Sequence, residues 1–111
     1  ERFDDALEGY RAANPKPAIS EEVRQFEVMA TAAVREKRFV DAVNDYSQGL
    51  AVAPWWAQGQ FNEALVLGQL TYYDQAIDHM QKYLALVPDA QNARAAQDQI
   101  YAWKGKQGTQ Q

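Results

Sequence analysis

The 111-residue chain has no cysteine, a single histidine, four prolines, six scattered glycines and no apolar run of membrane-spanning length. Each shortage removes a class of chemistry. Without cysteine there is neither a disulfide framework nor a thiolate zinc site. His79 has no second imidazole with which to share a metal, so no metal or cofactor is expected, and the residue reads as a partly exposed surface histidine. The glycines form no phosphate-cradling loop. Eleven basic residues against fifteen acidic ones give a net charge of −4 with no basic stripe, which argues against a nucleic-acid partner. The acid pairs Asp4–Asp5 and Glu21–Glu22 are adjacent, so on a helix they diverge by about 100° and form no catalytic dyad. They suit the positive end of a helix dipole instead. Ser20 or Ser47 with His79 is a formal nucleophile–base combination, but neither serine lies in a nucleophile-elbow context. No catalytic residue is expected.

What the chain does have is a phrase written three times: "RFDDALEGY" at 2–10, "RFVDAVNDY" at 38–46 and "YYDQAIDHM" at 72–80. It aligns Phe3, Phe39 and Tyr73, then Ala6, Ala42 and Ala76, then Tyr10, Tyr46 and Met80. The last two copies stand 34 residues apart, as do Ala30 and Ala64, Leu50 and Leu84, and Pro54 and Pro88. The first copy lies 36 residues before the second, which places two extra residues in "NPKPAIS". A fixed period of this length indicates a repeat architecture.

Each unit reads as two helices. Ser20 is a suitable N-cap for a helix whose stripe is Phe26, Met29, Ala30 and Ala33. A second helix begins near Phe39 and stops before Pro54, because the residue before proline is pushed out of the helical region. The next unit runs from about Trp55 to Leu70 and from about Tyr73 to Leu86. The small residues are the physical key. A larger side chain at Ala30 or Ala64 would separate the helices of one unit, and at Ala42 or Ala76 it would separate neighbouring units. The expected organisation is one all-α domain over 1–104 with about six helices: an orphan second helix at 2–13, repeats at 20–54 and 55–88, and a terminal helix at 89–104. Asp89 would cap that last helix, with Ala93, Ala96, Ile100 and Trp103 on its apolar side. Residues 105–111 have nothing to pack and are expected to be a disordered tail. A chain starting at Glu1 reads as a processed or excised form that carries no targeting information.

These residues resemble the tetratricopeptide repeat family, with two repeats at about 23–56 and 57–90 and half-units at both ends. The first repeat supplies Phe26, Met29, Ala30, Ala33, Ala42, Tyr46 and Pro54. The second supplies Gln60, Glu63, Ala64, Leu67, Ala76, Met80 and Pro88. It departs from the family where Gln60 and Glu63 replace apolar residues, and Phe61 one position later suggests a rotated or differently started helix. Lys37 and Thr71 stand where the family has glycine. The resemblance implies an α-α superhelix and a binding role, and it is compatible with a bacterial cytoplasmic or envelope protein.

By position, the resemblance implies a concave groove presenting Arg24, Glu27, Thr31, Gln58, Phe61, Asn62 and Leu65 to a protein or peptide segment. Phe61 and Leu65 form an apolar strip there, or core if the second repeat is shifted. Only Asn62 matches the family's carboxyl-terminus clamp, so that ligand is not expected. Trp55 and Trp56 point in different directions on a helix, which gives one ring at the inter-repeat junction and one half-exposed, or else a binding hot spot. The competing reading is a self-association module that pairs two copies through the amino end or the Trp55/Trp56 region.

Overall fold

The computed structural model describes residues 2–109. Six helices follow in chain order: α1 Arg2–Ala12, α2 Glu21–Arg35, α3 Phe39–Val52, α4 Ala57–Gln69, α5 Tyr73–Leu86 and α6 Ala93–Thr109. No strand occurs among the described residues. Helices α2 to α6 pack each against the next, which gives an all-α helical repeat fold.

Local chemistry sets the helix ends. The Ser20 hydroxyl accepts the Val23 amide at 3.3 Å and caps α2. Both α2 and α4 end with a residue in the left-handed region, Lys37 at φ 60° and Thr71 at φ 65°. In each turn the next amide reaches back to satisfy a helical carbonyl: Arg38 N to Ala33 O at 2.8 Å, and Tyr72 N to Leu67 O at 3.0 Å. These are the positions where the resemblance leads one to expect glycine, and the chain adopts the glycine conformation without it. Helices α3 and α5 end at Val52 and Leu86, two residues before Pro54 and Pro88.

Ala30, Ala42, Ala64 and Ala76 are all fully buried. They divide between two hydrophobic clusters. Val23, Ala30, Ala33, Ala42, Tyr46, Leu50 and Trp56 form the first. Ala64, Leu67, Ala76, Ile77, Met80, Tyr83, Ala96, Ile100 and Trp103 form the second, and Val43 packs against both. Glycine gives the tryptophans their seats. A Cβ at Gly49 would lie 2.7 Å from Trp56, a Cβ at Gly59 would meet the same ring, and one at Gly68 would lie 2.7 Å from Trp103.

Several expectations are corrected. Met29 belongs to the expected buried stripe but is 50% exposed, and Val23 takes its place in the core. Helix α4 starts at Ala57 rather than Trp55, because Trp56 precedes it as a buried wedge. Helix α6 starts at Ala93, four residues beyond Asp89. The intervening residues turn through Ala90 N to Val87 O at 3.1 Å, and Asn92 O accepts the Ala96 amide. The expected disordered tail is helical as far as Thr109, where Lys106 lies 6.0 Å from the centre of the Tyr73 ring; residues 110 and 111 lie outside the described residues. Finally, the helix expected at 2–13 forms as α1. It lies against α5 and crosses from the end of α3 to the end of α5: the Arg2 guanidinium donates to Ala51 O and that of Arg11 to Ala85 O at 3.1 Å.

Candidate functional site

Two groups of side chains stand out. The first is the expected recognition face. Burial holds the pKa of Tyr46, from α3, above the ordinary value, and Thr31 of α2 and Asn62 of α4 lie near its hydroxyl. Gln58 donates to Asn62 Oδ1 at 3.0 Å, and the Thr31 hydroxyl donates to Glu27 O at 2.8 Å. Thr31, Gln58 and Asn62 are therefore brought together, with Glu27 beside them. Arg24 is exposed and pairs within its own helix with Glu21 at 3.7 Å. Leu65 is 39% exposed. Phe61 is half-buried and tilted against Tyr83 with ring centroids 4.9 Å apart, so it packs against the second core, one of the two readings the sequence left open. Trp56 is buried, and Trp55 is half-buried under a stacked Tyr10 ring at 6.1 Å. The pair is thus one junction wedge and one partly covered ring.

The second group is a polar seam inside the stack, and the sequence reading missed it. Gln60 and Glu63, the residues that break the apolar pattern of α4, are each only 3% exposed. The helix is not rotated; its polar residues are taken inside. Gln60 Nε2 donates to Pro54 O at 3.1 Å, which leaves Gln60 Oε1 to accept from His79 Nδ1 at 2.6 Å. His79 Nδ1 therefore carries the hydrogen, and the lone pair of Nε2 points toward Glu63 Oε2 at 3.6 Å. Ser47 donates to that same oxygen at 2.8 Å, and Glu63 Oε1 is buried without a partner.

Burial sets the charge of this seam. It raises the Glu63 pKa to about 7, against the lowering effects of Ser47 and Lys82. It lowers His79 to about 4, helped by Lys82 and opposed by Asp78. Close approach would suggest an ion pair, but burial pushes each group toward its neutral form. Over the seam lies a cleft of about 260 Å³ whose walls include Arg2 and Phe3 of α1, Leu50 of α3, and Lys82 of α5. The signal for it was present in the sequence as two polar residues, Gln60 and Glu63, at core positions. No group of three acidic or histidine residues suited to a metal occurs among the described residues, and no described helix is long and apolar enough to cross a membrane. Comparison with protein-family models and with curated proteins returned no match.

Proposed function

We propose that the chain is a tetratricopeptide-type binding module whose α2/α4 face receives a segment of a partner protein, without catalysis. The observation that carries this reading is the cross-helix arrangement around Tyr46. Gln58 and Asn62 are bonded to each other and Thr31 to its own helix, so a partner meets polar groups already in place and the scaffold loses little entropy on binding. Arg24, Glu27 and Leu65 extend the same surface by position. The polar seam favours a structural role over an enzymatic one: the Ser47 hydroxyl is spent on Glu63, and His79 Nδ1 on Gln60.

The test is a crosslinking pull-down that compares the parent with a Thr31→Ala, Leu65→Ala variant. Both positions are exposed, so the fold is retained. The same proteins recovered equally well by both would overturn the face assignment. A second reading, self-association, is favoured by one specific feature: Val28, Met29 and Val40 are at least half exposed on α2 and α3. Light scattering over a concentration series separates the two. A monomer throughout removes self-association, and a tight dimer that buries Thr31 and Leu65 removes the partner-segment reading.

A further inference from the structure

The repeat equates Met29 with Glu63 and Ala32 with Val66, each pair 34 residues apart. In α4 these positions are covered: Glu63 and Val66 are 3% and 5% exposed, and α3 supplies the neighbour, with Ser47 bonded to Glu63. In α2 the same face is open, with Met29 half exposed. The helix whose phrase matches α3, and which precedes α2 as α3 precedes α4, is α1. Yet α1 lies against α5, where no residue of it is buried. Its polar and ring contacts there lie at its two ends, the Arg2 and Arg11 bonds to Ala51 and Ala85 carbonyls, Lys82 over the Phe3 ring, and Tyr10 on Trp55, while Ala6 and Leu7 between them are only half-buried. Eight residues, 13–20, join α1 to α2, whereas four, 53–56, join α3 to α4, so the tether is long enough for the same stacking.

We infer that α1 has two seats in its own chain: the observed one across the ends of α3 and α5, and a second stacked on α2 over Met29 and Ala32, in the register that α3 keeps on α4. Occupation of the second seat withdraws Arg2 and Phe3 from the cleft and uncovers Glu63 and His79. The second seat belongs to the same chain because a short tether holds α1 near α2 at a high effective concentration. The inference rests on the repeat stacking and stands whether or not the α2/α4 face binds a partner.

The absence of cysteine makes the test clean. Spin labels go on a Glu8→Cys, Gln25→Cys variant, both sites being exposed, and circular dichroism checks that its helix content matches the parent. Pulsed electron spin resonance is expected to give two distances, the shorter one set by neighbouring helices and unchanged on dilution with unlabelled chain. Adding Arg2→Ala and Arg11→Ala removes both carbonyl bonds and should raise the short-to-long ratio by roughly fivefold. It should also speed carbethoxylation of the single histidine by diethyl pyrocarbonate. One population of distances in both proteins overturns the inference, and so does a short distance lost on dilution, which would mean a second copy. Faster His79 reaction without the short distance shows simple detachment and overturns it too, as does the short distance without faster reaction.

Discussion

The two repeats fill equivalent positions in opposite ways. At 26 and 29 the first repeat places Phe26 and Met29, apolar residues left partly or half exposed; at 60 and 63 the second places Gln60 and Glu63, polar residues almost wholly buried. Residue polarity alone gives the inverse of the observed burial. What decides is the helix lying on top. Helix α3 covers α4 and closes a hydrogen-bonded seam around Gln60, Glu63, His79 and Ser47, whereas the matching face of α2 stays open. A buried polar residue is tolerated when its polar atoms find partners, and among the described residues Glu63 Oε1 is the buried side-chain atom left without one.

The strongest way to break the comparison is to pry the helices apart where the two repeats agree. Ala42 and Ala76 have no exposed surface, so Ala42→Leu or Ala76→Leu should each lower stability by about 1–3 kcal/mol, read as a lower urea midpoint at constant slope.

The next experiment sharpens the polar half of the contrast through pH. Glu63 titrates near 7 in the folded chain and near 4.5 unfolded; the unfolded chain loses this proton first, so the Glu63 contribution falls as pH rises from 4.5 to 7. His79 titrates near 4 folded and 6.5 unfolded; the unfolded chain gains this proton first, so the His79 contribution falls as pH drops from 6.5 to 4. Between 4.5 and 6.5 the two slopes oppose, and the parent should be nearly flat. Glu63→Gln leaves the histidine slope, and stability should then rise with pH between 4 and 6.5. His79→Gln leaves the glutamate slope and should invert the trend. Urea melts at four pH values read both.

A smaller effect tests the turns that the repeats share. Thr71 is β-branched and left-handed, which is strained for such a residue. Thr71→Gly should stabilise by about 0.5–1 kcal/mol, the relief of a left-handed side chain less the added entropy of glycine in the unfolded chain. Lys37→Gly should gain less, because lysine lacks the branch. The smallest effect distinguishes core from face on α4. Leu65→Ala should stay within about 0.5 kcal/mol of the parent. Phe61→Ala, which empties the ring site against Tyr83, should cost clearly more in the same melts.

Helix boundaries set by local chemistry were legible in the sequence: Ser20 as a cap, Pro54 and Pro88 as stops, and the alanines as contacts. Four things were not. The place of α1 depends on contacts with Ala51 and Ala85 that no local pattern encodes. The start of α6 depends on a turn after Pro88 and on Asn92, whose side chain accepts from the Tyr83 hydroxyl at 2.6 Å. The last residues of α6 look partnerless in one dimension because Tyr73 is distant in sequence. The seam was visible as an anomaly at Gln60 and Glu63, but His79 gave no sign of joining it, since one histidine 16 residues beyond a glutamate has no periodic relation to it. Of the expected face, the bond between Gln58 and Asn62 follows from their i, i+4 spacing on α4, and of the two readings left open for Phe61 its ring takes the inward one, against Tyr83.

The claim on which these contrasts depend is that stacking one helix pair on the next draws a polar seam out of water. Because the chain holds one histidine, its ring protons give an unambiguous titration by nuclear magnetic resonance. A midpoint near pH 4 is the outcome for an imidazole enclosed with Gln60 and Glu63; a midpoint near 6.5 would place His79 in solvent and contradict the packed seam.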